Sequence, residues 1–238
     1  DSYFVDYVLN EMEEMCEKDF IHFGGLKIFT TLDSNMQKAA HDAANHHINF
    51  LESRMVKKEG QGNLETAVVT VDNQSGAIRV LLGGLDYSKS QFNRAVSNNR
   101  MPGSSFKPFV YMSAFENLGY HPGTVLVDEP ISLDIPGTTS WEPNNFNDKF
   151  KGPVILKEAL AKSLNVISAK LMYELSPKRV IKTARKFGII SPLKNNYSLA
   201  LGSSGVSALE LASAYSVIAN LGTYKKPFLV FRVEDYGG

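Results

Sequence analysis

The sequence is poor in cysteine, holding only Cys16, which excludes an internal disulfide and a cysteine-rich metal site. It has no excess of charge: 25 basic residues balance 25 acidic ones. That balance removes the electrostatic footprint of a nucleic-acid binder. No apolar run approaches the roughly 20 residues that a membrane-spanning helix needs. What is present is a chain of 238 residues that is 43% hydrophobic and 21% charged, enough to bury a core and resist disorder. Its length suits one large domain, or one domain with an appendage. Asp1-Ser2-Tyr3 reads as the middle of an element, not as a basic leader, and Val233 to Gly238 reads as a strand entering a turn. Both ends are therefore expected to be cut from something longer.

Taken in order, residues 3 to 18 are expected to form an amphipathic helix with Phe4, Val8, Met12 and Met15 on its apolar stripe and Cys16 beside it. Gly24-Gly25 breaks the chain, and Leu26 to Leu32 alternates as a strand. Asp33 or Ser34 caps a helix over 35–55, with a stripe through Met36, Ala40, Ala43 and Ile48. His41, His46 and His47 lie on that helix without the i, i+4 spacing of a metal pair, so solvated histidines are expected. The charged, glycine-containing stretch 57–63 marks a candidate boundary between a linker segment, 1–63, and a catalytic domain, 64–238. Thr66 to Asp72 and Ala77 to Gly84, joined by Asn73-Gln74-Ser75-Gly76, read as a hairpin.

Further on, Gly119 to Gly152 reads as a long irregular segment of the kind that lines a site. It holds the single tryptophan, Trp141, as either a cleft roof or a loop anchor. Helices are expected over 154–163, with Ile155, Leu156, Ala159, Leu160 and Ala161 buried, over 166–175, and from Pro177 to Phe187, stopped by Gly188. Residues 199–205 read as a flexible turn, matching neither a phosphate loop nor a dinucleotide fingerprint. Ser207 and Glu210 form a capping box for a deeply buried helix over 208–220, and Phe228 to Val233 is a last strand.

The chemistry centres on Pro102-Gly103-Ser104-Ser105-Phe106-Lys107-Pro108. Pro-Gly ends what precedes it, Ser104 takes a cap-like position, and an apolar run follows. A helix starting near Ser104 puts Ser104 and Lys107 on one face, hydroxyl beside amine, whereas Ser105 and Lys107 diverge. A serine hydroxyl is a weak nucleophile until a base takes its proton. Lysine is such a base when burial, here beside Phe106 and Phe109, lowers its pKa. The spacing alone leaves two readings open, an acyl-transfer pair or a helix cap with a surface lysine. Ser191-Pro192-Leu193-Lys194 has the same spacing, but Pro192 and its polar neighbours read as a turn.

Ser104 to Lys107 is followed 59 positions later by Ser163-Leu164-Asn165. Together they resemble the penicillin-binding protein transpeptidases of the penicilloyl-serine transferase superfamily, with Leu164 at the variable middle position of the second motif. Ser97-Asn98-Asn99 fits that motif too, but in a polar run. Gly25 to Asp33, Pro102 to Pro108, Gly152 to Asn165 and Leu199 to Tyr215 are similar to the class A, bifunctional members, with Ala208 where that class usually has proline. The family's third motif, Lys-Thr-Gly, is absent; the nearest lysine pair, Lys225-Lys226, precedes Pro227.

The resemblance implies an α+β, β-lactamase/transpeptidase-like fold: a central antiparallel sheet flanked by helices, with an α-helical subdomain. It is incomplete at the C-terminus, about two-thirds of a transpeptidase domain. The missing part carries the third motif, part of the oxyanion hole and further core strands. The resemblance also implies D,D-transpeptidation of peptidoglycan stem peptides through a serine acyl-enzyme, and acylation by β-lactam antibiotics. Ser104 is then the nucleophile and Lys107 the favoured base. Ser163 relays a proton to the leaving amine, and Asn165 hydrogen-bonds Lys107 and the substrate. The residues leave open which group takes the first proton. No metal or organic cofactor is implied. An upstream glycosyltransferase domain and a membrane anchor are, with the domain on the extracytoplasmic side of the bacterial membrane. Two alternatives differ in chemistry or in its absence. A serine β-lactamase or penicillin sensor shares the serine chemistry; a β-lactamase would also use a deacylating glutamate, for which Glu142 and Glu158 are the nearest residues but without a matching context. A non-catalytic scaffold would have lost the third motif.

Overall fold

The computed structural model describes residues 2–17, 21, 25–56, 62–135, 137 and 139–235. In chain order its elements are α1 (Ser2–Met15), β1 (Lys27–Thr30), α2 (Ser34–Glu52), β2 (Val68–Val71), β3 (Ile78–Leu82), α3 (Lys107–Leu118), β4 (Val125–Asp128), β5 (Gly152–Ile155), α4 (Leu156–Ala161), α5 (Asn165–Leu175), α6 (Pro177–Lys186), α7 (Ala208–Ala219) and β6 (Val230–Glu234). They fall into two compact units, one of Asp1–Ser97 with Ser207–Gly238, the other of Asn98–Val206.

In the first unit, β2 and β3 form the expected hairpin, with Val68 opposite Leu82 and a register shift at Thr70/Val71. Strand β1 pairs antiparallel with β6, Lys27 opposite Glu234. Ile78 N–H donates to Phe228 O (2.9 Å) and Thr31 Oγ1 to Ile78 O (2.7 Å), which ties the two ladders together. The stripe of α1 buries Phe4, Val8 and Met12 in one cluster with Ile78, Leu81 and Leu229, and Cys16 packs at its edge. Met15, Gly24 and most of 57–63 fall on residues or side chains outside the described set.

Asp33 is the cap of α2, accepting from the backbone N–H of Asn35 and Met36 at 3.0 Å. The expected stripe on this helix holds at Ile48, which is buried, but not at Met36, which is 41% exposed, or at exposed Ala43; Gln37 is buried instead. Gln37 explains the error. Its Nε2 donates to Leu81 O (3.1 Å) and its Oε1 accepts from Leu81 N–H (3.0 Å). The side-chain amide stands in for a neighbouring strand, so a polar residue faces inward, where apolar periodicity cannot find it. His41, His46 and His47 are exposed. The capping box of α7 is present. That helix is not buried all round, however: Leu209, Ala214 and Val217 face inward, but Tyr215 and Ile218 are about two-fifths exposed.

The second unit packs α3, α5 and α6 around a core that includes Phe109, Val110, Ile167, Leu171, Val180 and Ala184, all 0% exposed. Two expectations are corrected here. Residues 119–152 are not structureless, and the helix expected over 154–163 begins only at Leu156. Residues Gly152 to Ile155 form β5 instead, antiparallel to β4 with Asp128 opposite Gly152 and Val125 opposite Ile155. Pro153 and the β-branched Val154 and Ile155 favour extended backbone, and a cross-strand partner is available. Of the side chains expected to be buried there, Leu156 and Ala159 are, whereas Ile155 and Ala161 are exposed. Trp141 anchors the loop through its backbone, exchanging both hydrogen bonds with Leu133 (2.9 Å each). Residues 199–205 are packed, not flexible: Leu199 and Ala200 are 0% exposed within a 3-10 turn over Tyr197–Leu201.

Candidate active site

Ser104 lies in a 3-10 turn, Gly103–Phe106, that leads directly into α3 at Lys107. Residues three apart share a face in 3-10 geometry, and Ser104 stands one such turn before Lys107. Ser104 does not cap the helix as expected; the 3-10 turn and α3 both start without a side-chain cap. The two adjacent serines differ. Ser105 Oγ donates to Pro102 O at 2.6 Å, whereas Ser104 is exposed. The turn is braced by Gly202, whose carbonyl accepts from Gly103 N–H (3.3 Å). Gly202 has φ +70°, and a Cβ there would fall 2.1 Å from Gly103 O. Gly202→Ala adds left-handed strain to a backbone clash on the nucleophile turn, and small misplacements of a reacting group are costly. It is expected to lose about 3 kcal/mol in thermal melts.

Lys107 is 1% exposed and is flanked in the chain by the buried Phe106 and Phe109, whose rings meet edge to face at 5.3 Å. Its Nζ donates to Ser163 O (2.6 Å), Ser163 Oγ (2.9 Å) and Asn165 Oδ1 (2.7 Å). Three acceptors use all three N–H bonds of an ammonium. None of these partners is charged, so burial dominates and lowers the Lys107 pKa to about 8. Ser163 presents both its carbonyl and its hydroxyl to Lys107 from a left-handed backbone, φ 53°. That conformation costs on the order of 1–2 kcal/mol in a non-glycine residue and is typically held at functional sites. Ser163 and Asn165 are thus not a cap pair for α5, which starts at Asn165 without a side-chain cap from Leu164.

The profile of the "Penicillin binding protein transpeptidase domain" family matches residues 66–237. The chain belongs to this family. Penicillin-binding protein 1A of Pseudomonas aeruginosa is 40% identical over 176 residues, 73% of this chain and 21% of that protein. Penicillin-binding protein 2D of Bacillus subtilis is 32% identical over 99% of this chain and 33% of its own length. The chain therefore spans about a fifth to a third of these relatives. Among solved structures, the PonA1 protein of Mycobacterium tuberculosis in complex with penicillin V superposes with a TM-score of 0.83 at 27% identity, covering all of this chain and 63% of that one. The α+β, β-lactamase/transpeptidase-like fold follows.

In this transpeptidase domain the Ser163–Asn165 turn is held by two residues that the sequence reading missed. Asn145 Oδ1 accepts from the backbone N–H of Asn165 (2.9 Å) and Val166 (3.3 Å), capping α5 from a distant loop. Its Nδ2 donates to both carboxylate oxygens of Asp128 (3.0 Å each). Asp128 is 0% exposed and also accepts from Lys151 N–H (3.0 Å). Nothing periodic marks either residue; the only hint is their place in a proline-rich loop. Asn145→Asp sets a second carboxylate against Asp128 and is expected to cost about 3 kcal/mol and to slow acylation. Adding Asp128→Asn restores a donor–acceptor pair, and recovery of both stability and rate in the double variant checks the coupling.

Other sequence candidates lie apart from these contacts. Ser191 to Lys194 form no helix. Glu158 pairs with Lys162 at 2.5 Å, and Glu142 is exposed.

Proposed function

We propose that this chain carries the serine acyl-transfer site of a D,D-transpeptidase that crosslinks peptidoglycan stem peptides and is acylated by β-lactams. One observation carries the reading: a buried lysine of lowered pKa, held by Ser163 and Asn165, stands one 3-10 turn after an exposed serine. Ser104 Oγ attacks the carbonyl of a terminal D-alanyl-D-alanine bond as Lys107 Nζ, deprotonated, takes the hydroxyl proton. Backbone N–H of Ser104, at the start of a helical turn, serves the developing oxyanion. The C–N bond then breaks. D-Alanine leaves as its amine takes a proton through Ser163, and an ester to Ser104 remains. An amine of a second stem peptide attacks that ester by the reverse proton path, forming the crosslink and freeing the serine. Asn165 orients Lys107 and the substrate backbone. A β-lactam opens on the same serine.

The likeness to penicillin-binding proteins 1A and 2D and to PonA1 in complex with penicillin V supports this reading. On the same grounds we assign 1–63 as a linker into the catalytic domain and 64–238 as transpeptidase. The upstream glycosyltransferase domain and the membrane anchor belong to the longer class A architecture, with the site facing the extracytoplasmic side. Among the described residues no helix is long and apolar enough to cross a membrane. Intact mass after incubation with a penicillin, followed by peptide mapping, tests the proposal. The adduct is expected on the peptide bearing Ser104; an adduct on the Ser191 peptide, or none, overturns it.

A further inference from the structure

Next to the turn that carries Ser163 is a cavity of about 470 Å³ whose wall includes Asn145, Phe146, Lys149, Lys151, Lys162 and Ser163. Three lysines line it, and no carboxylate does. Of the acidic groups nearby, Asp128 and Glu158 are already engaged, and Asp148 is exposed on the loop between Asn147 and Lys149. Asp128 is buried under Asn145 and the Lys151 N–H. Glu158 meets Lys162 at 2.5 Å and Lys151 at 3.9 Å, one carboxylate between two ammonium groups. Contact with Lys162, first by hydrogen bonding and then by like charge, lowers the pKa of Lys151. The backbone enforces this crowding: Lys151 directly precedes β5, and Lys162 directly follows α4. Cations held around a cavity are unfavourable until an anion shares it, and a complementary anion is drawn in. Phe146 is fully exposed at its mouth and offers an apolar surface to the chain bearing that anion.

We propose that this cavity is a carboxylate subsite for the acyl-acceptor peptide, seating an acidic group of the stem peptide whose amine resolves the acyl-enzyme. The inference rests on the transpeptidase reading above. Ser163 is the hinge of the assignment, because it both contacts Lys107 and lines the cavity. In that reading its hydroxyl hands a proton to the departing amine. By microscopic reversibility the entering amine occupies the same side, with the cavity beside it.

The test uses the intact protein and two soluble acceptor peptides that share the same amine, one with a free side-chain carboxylate and one with the carboxamide. Titration calorimetry gives the ratio of their dissociation constants, on the free protein and after penicillin acylation, and penicillin labelling is read on the same samples. The carboxylate peptide is expected to bind about tenfold tighter at low salt, with the preference shrinking as salt rises. Lys149→Gln/Lys151→Gln is expected to bring the ratio to about one; both residues are exposed, so the fold tolerates the change. Lys162→Gln, next to Ser163, is a separate variant expected to lower the ratio. The proposal is overturned by a ratio of one in the wild type or by a preference that survives both variants. Loss of the preference on acylation also overturns it, since that places the carboxylate on the donor strand. Labelled protein without a preference overturns the subsite alone. Protein that keeps the preference but takes no label overturns the transpeptidase reading and the acceptor assignment with it.

Discussion

Ser104→Ala is expected to end penicillin acylation, by at least about 10⁴-fold and below detection in intact mass, because removing a nucleophile removes the bond-forming atom. Neighbouring Ser105 cannot substitute. Its hydroxyl donates to Pro102 O at 2.6 Å, and it stands two residues from Lys107, off the i, i+3 face. Because Ser104 is exposed, the alanine variant is expected to unfold within about 0.5 kcal/mol of the wild type. Lost labelling with an unchanged melt therefore reports chemistry and not folding. Ser191→Ala is the comparison, since Ser191 begins the other Ser-x-x-Lys in the chain. An adduct that persists in Ser104→Ala and disappears in Ser191→Ala would show the nucleophile to be wrong. Absence of an adduct from every form, wild type included, would favour a non-catalytic scaffold.

Lys107→Met is expected to slow acylation by about 10³-fold, the scale of a lost general base, while the domain stays folded. Stability changes in two opposing directions. With a pKa lowered to about 8, Lys107 binds its proton less tightly in the folded state than in the unfolded one. The unfolded chain therefore holds more protons between about pH 8 and the ordinary lysine range, and stability rises with pH across that window. At neutral pH the buried ammonium thus costs about 3 kcal/mol, which methionine removes. Methionine in turn leaves Ser163 O, Ser163 Oγ and Asn165 Oδ1 without their donor, a loss of about 1–3 kcal/mol. The two offset, so thermal melts of the variant are expected to stay within a few degrees of the wild type. The same shift sets a pH profile for the wild type. Only the neutral amine accepts the Ser104 proton, so the acylation rate should rise about tenfold per pH unit below about 8 and level off above it. A rate that fell above pH 8 would assign the ammonium form to catalysis and move the base to another group.

The local chemistry was legible in the sequence because it is local. Three-residue spacing placed Ser104 one turn before Lys107 at the entry to α3, and the apolar residues beside Lys107 in the sequence announced its burial and lowered pKa. The hairpin, the cap at Asp33 and the capping box at Ser207 and Glu210 were legible for the same reason, each being a short pattern satisfied by near neighbours. The resemblance to the transpeptidases joined Ser163 and Asn165 to that pair across 56 and 58 positions, a distance that no periodicity spans.

Most of what failed depended on a partner far along the chain. Gly152 to Ile155 became a strand because β4 lay beside it, and Gln37 turned inward because the backbone of Leu81 needed a partner. Gly202 and Asn145 looked like loop residues, yet one braces the nucleophile turn and the other caps α5 on the buried carboxylate of Asp128. The sequence by itself determined that Ser104 stands three residues before a buried lysine and that a helical turn opens near that serine. Only the tertiary structure decided how Ser163 and Asn165 are held against Lys107. Buried backbone donors and a buried carboxylate must find partners, and in this chain they find them across folded distance.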